Sequence, residues 1–357
     1  MPASIQLIST EHRKIVFKWL VLGVILVFVQ VVIGGITRLT NSGLSITEWD
    51  IIKGTLPPMN QAEWQIAFDK YKTFASVQFQ SLHADMDIAA FKKIYFWEYF
   101  HRLWARSIGF IFLFPFLFFV FKKWLSTDII KRLGMVILMA SAVATFGWIM
   151  VASGLSEDKR TWVSAYKLVI HLMLATALFA YLLWTSFIVY KDREVIALKH
   201  RPIHGLLKGL LWLTLIQIGL GGLMAGMRAG LIFPEWSIWV DLPRFISILN
   251  GQLDSANIID YESNAAIKAY VQLAHRITAY FVLLGTVYYY TISKNFSSLA
   301  KSGGVLLLLI TAQLLLGLFT VANCIGSVPA VYGVLHQGTA LVFLSALLWN
   351  KYLVTKG

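Results

Sequence analysis

The chain has 357 residues, of which 58% are hydrophobic and only 14% are charged, and its formal net charge is +13. In an ordinary soluble domain about a quarter of the residues are charged, so this composition excludes a soluble enzyme or binding module. The positive charge does not indicate nucleic-acid binding, because membrane proteins place Lys and Arg beside anionic lipid and in cytoplasmic loops.

Eight apolar runs follow one another along the chain, each of about 20 residues, the length that crosses a bilayer as a helix. The runs are continuously apolar rather than alternating, which favours helices over membrane-spanning strands. They cover residues 15–36, 96–121, 133–152, 163–190, 206–227, 270–292, 303–323 and 331–352. The sequence therefore predicts an all-α polytopic membrane protein with eight transmembrane helices.

The distribution of charge predicts the orientation of these spans. The short segments 122–132, 191–205 and 293–302 carry more basic than acidic residues, whereas the long loops 37–95 and 228–269 hold most of the carboxylates. Because short cytoplasmic loops carry the excess of Lys and Arg, both termini are predicted to be cytoplasmic and both long loops to lie outside.

Polar and glycine positions recur between the two halves of the chain. Gln30, Gly34 and Gly35 recur 187 residues later as Gln217, Gly221 and Gly222, and Glu48-Trp49 recurs as Glu235-Trp236. The segments "FHRLWA" (100–105) and "IHLMLATALFAYLLW" (170–184) match "AHRITA" (274–279) and "LHQGTALVFLSALLW" (335–349). The chain therefore reads as an internal duplication.

The duplication predicts two bundles of the same orientation. Each half has an even number of helices, so the halves are expected to be parallel repeats about an axis along the membrane normal. We expect one four-helix bundle from residues 1–190, including the loop 37–95, and another from residues 206–357, including the loop 228–269. The core of such a bundle is a usual place for a cofactor.

Four histidines occupy corresponding places in predicted helices two, four, six and eight: His101, His171, His275 and His336. All four are expected within about the first two turns of helices that run from the outside to the inside. An ionisable residue inside a span is costly and usually functional. A hydrogen-bonded core histidine would explain any one of them, but four at matched positions favour metal binding. Zinc usually takes three or four ligands at one site, and the single cysteine, Cys324, excludes a Cys cluster. Two histidines per bundle suit the axial positions of a haem iron, so one haem site is predicted in each half.

Glu98 breaks the symmetry of the two halves. It lies three residues before His101, on the same helix face, and either Val271 or Gln272 stands in its place in the second half. Glu98 is either an interfacial carboxylate in the first helical turn, favoured by the helix dipole, or an acid or base at the edge of the first haem that also reaches outer water. The second interpretation makes the first site the reaction site and the second an electron-transfer site. Two loop arginines, Arg38 and Arg228, either pair with haem propionates or snorkel to the interface.

Several motifs together resemble the haem A synthase family, in the form shared by mitochondria and many bacteria. They are "GGITRLTNSGLSITEWDIIKGTLPPM" (34–59), "EYFHR" (98–102), "IH" (170–171), "QLAHR" (272–276) and "LHQ" (335–337). The resemblance implies a membrane oxidoreductase that oxidises a ring methyl of haem O to a formyl group, giving haem A for cytochrome oxidase. It implies that His275 and His336 ligate a resident haem b, that His101 and His171 hold the substrate haem, and that Glu98 is the catalytic carboxylate.

The resemblance also implies the setting of the protein. It implies a bacterial inner membrane rather than a mitochondrial one, an unidentified electron donor or acceptor, haem O synthase as a candidate partner, and no nucleic acid. Other bacterial members carry a cysteine pair in an outer loop, whereas the loops 37–95 and 228–269 contain no cysteine, so no thiol-pair mechanism is expected. Four histidines alone would also suit a dihaem b-type electron-transfer cytochrome or a haem transporter; Glu98 and the loop motifs favour the enzyme.

Overall fold

The computed structural model describes residues 10–48, 55–155, 161–190 and 201–354. Trp49, the basic segment 191–200 and both chain ends lie outside the described residues. Twelve α-helices follow in chain order within this part: α1 (Thr10–Leu39), α2 (Gln61–Phe74), α3 (Ser76–Leu82), α4 (Ile88–Phe121), α5 (Thr127–Leu155), α6 (Ala165–Tyr190), α7 (Arg201–Gly226), α8 (Leu242–Leu249), α9 (Ser255–Ile259), α10 (Ala265–Ser293), α11 (Ser297–Ala322) and α12 (Ala330–Val354). The described residues form no strand, which confirms the predicted all-α class.

Seven of the described helices are long and apolar enough to cross a membrane: α1, α4, α5, α6, α7, α11 and α12. The predicted run 270–292 falls in α10, which has 29 residues but also carries five tyrosines, Gln272, His275 and Arg276. These polar groups lower the mean hydropathy of α10, so it is not among the seven. The prediction of a multi-pass helical membrane protein is confirmed, and seven of its eight predicted spans have the length and composition to cross a membrane.

Capping residues in the long loops extend two helices beyond their apolar runs. The side chain of Asp87 accepts a hydrogen bond from the amide of Ala90 at 2.7 Å, so α4 begins eight residues before the run 96–121. Asn264 caps α10 in the same way, accepting from the amide of Ile267 at 3.0 Å. Such N-caps satisfy amides that have no partner inside the helix. Glu98 is consequently the eleventh residue of α4, well inside the helix rather than in its first turn.

Four helices hold the molecule together at its centre. α1 packs against α4, α6 and α12, and α7 packs against α6, α10 and α12. α5 packs on the outer face of α6, and α11 packs on α12 and α10. The contacts between α1 and α12 and between α6 and α7 join the two halves of the chain.

Both long loops fold into small helical caps rather than extended connections. In the first, α2 and α3 bury Phe68 and Tyr71 against Phe91 at the start of α4. In the second, Phe233 and Phe245 pack on α10, and Tyr261 packs near the start of α6. These caps cover the ends of the helices that carry the histidines.

Candidate functional site

The four predicted histidines lie on α4, α6, α10 and α12, one on each. Each of these histidines is only partly buried although its imidazole contacts a neighbouring helix. His171 and His336 are the seventh residues of their helices, within two turns of the start as expected. The same expectation is wrong for His101 and His275, which are the fourteenth and eleventh residues because Asp87 and Asn264 start α4 and α10 further out.

Every one of these rings lies against a glycine of an adjacent helix. A Cβ atom at those glycines would lie 2.9 to 3.4 Å from the Cε1 atom of the imidazole. The pairs are Gly34 with His101, Gly147 with His171, Gly221 with His275 and Gly317 with His336. The absence of a side chain at these four places therefore lets the Cε1 edge of each imidazole approach the neighbouring backbone.

Gly317→Ala is expected to displace His336, because the new Cβ would lie 3.0 Å from its Cε1 atom. Overpacking of this kind costs about 1–3 kcal/mol, and it should weaken haem binding in the second half. Gly209→Ala is the matched control: nothing lies within 4 Å of a Cβ there, so better helix propensity should leave stability unchanged or slightly raised. Thermal unfolding and the absorption spectrum of the purified proteins test this; equal spectra and stabilities would contradict it.

Glutamines at equivalent places accompany His101 and His275. The Nε2 atom of Gln30 lies 3.2 Å from both ring nitrogens of His101 and also donates to its backbone carbonyl. The Nε2 atom of Gln217 lies 3.3 Å from Nε2 of His275. The Oε1 atoms of both glutamines and Nδ1 of His275 are buried without a hydrogen-bond partner. Buried polar atoms without partners are rare, and here they surround the candidate ligands.

The other two histidines contact backbone carbonyls. Nδ1 of His171 lies 3.0 Å from the carbonyl of Val143, and Nδ1 of His336 lies 3.1 Å from the carbonyl of Gln313. A ring nitrogen that donates to a carbonyl fixes the tautomer and leaves the opposite nitrogen free to bind a metal. The halves differ in the side chain, because Gln313 also places its Nε2 atom 3.1 Å from the His336 ring, where the first half has Val143.

The distance between the second-half rings suits one metal ion between them. The centres of the His275 and His336 rings are 6.3 Å apart and their planes are inclined by 70°. Two imidazoles on opposite sides of one metal, each with its nitrogen about 2 Å from the ion, place their centres about 6 Å apart.

His101 and His171 are close enough for their charges to interact. No group of three or more His, Cys, Asp or Glu side chains suited to a bare metal ion occurs in the described residues. The donor set therefore fits a metal that brings its own equatorial ligands, as haem does.

Glu98 is buried, with 3% of its surface exposed, and every nearby donor points at it. Its Oε2 accepts from the hydroxyl of Ser45 at 2.8 Å and the amide of Ile46 at 2.9 Å. Its Oε1 pairs with Arg102 at 2.6 Å, and Arg102 also donates to the carbonyls of Ile46 and Glu48. The expectation that Glu98 reaches outer water is wrong, and the interfacial-cap interpretation fails because the dipole effect is confined to the first turn.

The second half has the same construction with a glutamine in place of the carboxylate. Gln272 is fully buried and donates to the carbonyl of Phe233 at 2.9 Å. Arg276, the counterpart of Arg102, donates to the carbonyls of Phe233 and Glu235. The alignment that the sequence left open is therefore settled, because Gln272 and not Val271 takes the place of Glu98.

Sequence reasoning missed Arg102 and Ser45 as members of the site. Arg102 had a visible signal, since a His-Arg pair occurs in both halves, at 101–102 and at 275–276. Ser45 had none, because its contact with Glu98 joins residues 53 apart through the fold of the first loop.

The core of the first loop contains a further polar group. The hydroxyl of Tyr71 lies 2.6 Å from Nδ1 of His83 and donates to Gln78. His83 is therefore half-buried, and burial lowers its pKa. Burial and the negative charge of Glu98 raise the pKa of Tyr71, so Glu98 acts electrostatically on this loop.

Arg38 and Arg228 meet where the two halves join. Arg38 donates to the carbonyls of Ala225 and Gly226 at 3.0 and 3.1 Å, and Arg228 donates to Oδ1 of Asn41 at 2.5 Å. Both guanidinium groups lie near the ring of Trp162, 5.2 and 3.3 Å from its centre. Burial and the nearby charge of Arg38 lower the pKa of Arg228 to about 10. These contacts hold both arginine side chains, so neither extends freely to the membrane interface. Pairing of Arg38 or Arg228 with haem propionates stays a prediction.

Comparison with known proteins gives a consistent match along nearly the whole chain. Residues 17–348 match the model of the COX15-CtaA family, described as cytochrome oxidase assembly protein. The chain is 37% identical to "Heme A synthase" of Flavobacterium johnsoniae over 353 residues, which are 97% of this chain and 99% of that protein. It is 36% identical to the protein of the same name from Flavobacterium psychrophilum (97% and 100% covered) and 35% identical to that from Parvibaculum lavamentivorans (99% and 98%).

Proposed function

This chain belongs to the COX15-CtaA family of cytochrome oxidase assembly proteins, the haem A synthases, and on that premise we propose how its two halves divide the reaction. It converts haem O to haem A for cytochrome oxidase by oxidising a methyl group of the haem. Haem O is its substrate, haem is its cofactor, and it is a multi-pass membrane protein.

We propose that α10 is an eighth span and that the halves are parallel repeats related by an approximate twofold axis. Two hydrogen bonds between equivalent positions support this arrangement: Arg38 contacts Ala225, and Asn41 contacts Arg228, each 187 residues apart. Equivalent residues touch each other only where related elements meet on the axis. The matching Arg102 and Arg276 contacts, 174 residues apart, support the same relation away from the axis.

We further propose that the second half holds the resident haem as haem b. His275 and His336 would be its axial ligands, supported by their 6.3 Å separation and by the unpaired polar atoms around them. When bound, the iron supplies one-electron redox chemistry, and the donor or acceptor that exchanges electrons with it is unidentified. The residues of this half orient the imidazoles and exclude water; no carboxylate lies at the position of Gln272 to take part in proton transfer.

The first half would hold the substrate through His101 and His171. The observation that carries this division is that Gln272 takes the place of Glu98 in the second half, while the neighbouring arginine and the loop carbonyls match in both halves. We propose that Glu98 stabilises positive charge that develops as the methyl carbon is oxidised, or holds and releases a proton in that step. Ser45, the Ile46 amide and Arg102 fix the position of its carboxylate for either task.

The setting follows the same premise. We propose the bacterial inner membrane as the location, with both termini cytoplasmic and the two caps outside, supported by the basic short segments and bacterial relatives. Haem O synthase is a candidate partner, because the substrate is lipid-borne and is made by that enzyme class.

His101→Ala and His171→Ala test the assignment of the first half. Each variant should keep its haem b, because the second-half ligands are unchanged, and should lose bound haem O and haem A. Extraction of haem from the purified proteins, followed by chromatographic separation, measures both. His83→Ala is the control, since His83 contacts Tyr71 in the loop core and should leave both haems in place. Normal haem A formation by either first-half variant would refute the assignment.

A further inference from the structure

The two halves differ in how their second and third long helices pack. In the second half α10 and α11 pack against each other, whereas the equivalent α4 and α5 make almost no close backbone contact. They share hydrophobic clusters near the short turn that joins them, through residues such as Phe119 and Leu133, and at the opposite end under the first loop, where Val151 belongs to the same cluster as Phe91. Between these two ends the first half is open along a side that is closed in the second half.

Sequence differences at equivalent positions account for this opening. Gly303 of α11 lies directly against Ser293 and Tyr289 of α10, with no room for a Cβ, so these two helices approach closely. The counterparts in the first half are Leu133 on α5 and Phe119 and Pro115 on α4. The larger side chains at these positions do not permit the close approach that Gly303 permits in the second half, and a proline inside α4 removes one backbone hydrogen bond of that helix.

A cavity of about 340 Å³ lies in this opening. Arg102 of α4 and Glu48 of the first loop form its polar wall, and Trp148, Val151 and Ala152 of α5 form its apolar wall. Arg102 directly follows His101, and Trp148 directly follows Gly147, which lies against His171. Arg102 also pairs with Glu98, so the cavity lies beside the segment of α4 that carries Glu98 and His101 and the segment of α5 that lies against His171.

The apolar wall faces the surface that a bilayer would cover. α5 is the least buried of the apolar spanning helices, and 48% of the Trp148 surface is exposed. Exposed apolar side chains on one wall and charged groups on the other suit an amphipathic ligand that arrives from the membrane. Ligand pockets typically have volumes of about 300–1,000 Å³, so this cavity is small. It can hold part of a large ligand that moves through it.

We propose that the cleft between α4 and α5 is a lateral portal through which haem O enters the first half from the bilayer. The macrocycle edge would pass Arg102 and Ala152 towards His101 and His171, and the isoprenoid tail would stay between the two helices, in contact with lipid. The closed α10–α11 contact would retain the resident haem of the second half. This portal rests on the proposed assignment of the first half to the substrate.

Ala152→Trp tests the portal, and Ala322→Trp is its matched control. Both alanines are exposed, and Ala322 is the equivalent position on α11. The proteins are produced in cells that make no haem O, reconstituted in lipid nanodiscs, and mixed with haem O while the absorption change is followed. Ala152→Trp should slow haem O uptake by roughly tenfold or more while reaching the wild-type final spectrum, and Ala322→Trp should not slow it. Equal uptake rates in the two variants would overturn the portal.

Cysteine labelling gives a second measurement that does not depend on a bulky substitution. Cys324 is buried, and replacing it with Ser gives a background in which single cysteines can be placed. A lipid-soluble maleimide should label Trp148→Cys and Leu138→Cys, both on exposed parts of α5. Haem O should protect only Trp148→Cys, because only that position lines the cavity. Equal protection or equal labelling of the two would overturn the portal.

Failure of the portal can be distinguished from failure of the proposed function. If His101→Ala and His171→Ala abolish haem O uptake while Ala152→Trp takes it up at the wild-type rate, the substrate site stands and the portal is wrong. If haem O uptake is unaffected by both histidine variants, the substrate assignment itself is wrong, and the portal falls with it.

Discussion

His336→Ala and His275→Ala are each expected to abolish the low-spin haem b spectrum of the purified protein. A low-spin bis-imidazole iron needs both axial ligands, and the ring centres of these two histidines are 6.3 Å apart, the spacing of two ligands on one iron. The substitution also removes the ring that Gln313 or Gln217 contacts, leaving further buried polar groups without partners. Optical and electron paramagnetic resonance spectra of the reduced and oxidised protein measure the loss.

Added imidazole sharpens this test. In His336→Ala the space of the missing ring is still bordered by Gly317 and the Gln313 side chain, so free imidazole should enter it and restore part of the low-spin signal. His83→Ala serves as control, because His83 lies in the loop core and is not a ligand in this scheme. Retention of the low-spin spectrum in both His275→Ala and His336→Ala would show that other residues bind the iron.

The helices and the four histidines could be predicted because their signals are local. Continuous apolar runs define a spanning helix whatever packs against it, and His101, His171, His275 and His336 stand out as rare ionisable residues in such runs. α10 was predicted as well, but its tyrosines and Arg276 lower its hydropathy, so its crossing of the membrane stays a prediction.

The environment of Glu98 could not be predicted because it is assembled from distant segments. Ser45 and Ile46 reach the carboxylate only because the first loop folds back over α4, which the chain does not encode in any short pattern. The sequence indicated correctly that Glu98 lacks a carboxylate counterpart. The expected exposure of Glu98 was wrong, because Asp87 caps α4 further out and Glu98 therefore lies in the third turn of that helix.

The opening between α4 and α5 was hidden for a different reason. The repeat offset changes along the chain, from 187 residues for α1 to 174 for α4 and 165 for α6, because the loops of the two halves differ in length. Without the structural contacts that align Arg102 with Arg276 and Val143 with Gln313, the correspondence of Leu133 with Gly303 is not visible. The packing of α4 on α5 could therefore be compared with that of α10 on α11 only after the fold had aligned the two halves.

Glu98→Gln is expected to fold and to keep its haem b, while haem A formation falls about 10²–10⁴-fold, the usual contribution of a general acid or base. The second half shows how the variant can be accommodated, because Gln272 donates to the carbonyl of Phe233 while Arg276 donates to the carbonyls of Phe233 and Glu235. A glutamine at position 98 has the matching carbonyl of Ile46 available, and Arg102 keeps its contacts with the carbonyls of Ile46 and Glu48. The substitution therefore converts the first half to the second at this position: it removes the charge and replaces one acceptor oxygen of the carboxylate with a donor amide group.

Three comparisons separate a catalytic from a structural role of Glu98. Asp69→Asn removes an exposed carboxylate of the first loop that pairs with Lys72 at 3.2 Å, and it should leave haem A formation unchanged. Arg102→Ala leaves Glu98 buried without its cation and should destabilise the protein by about 3–5 kcal/mol, so its loss of activity would accompany a lower unfolding temperature. Glu98→Gln should instead form haem A much more slowly than the wild type. Its unfolding temperature, haem b content and haem O binding should stay near those of the wild type. If Glu98→Gln forms haem A at the wild-type rate, the carboxylate serves only to hold Arg102 and the first loop against α4.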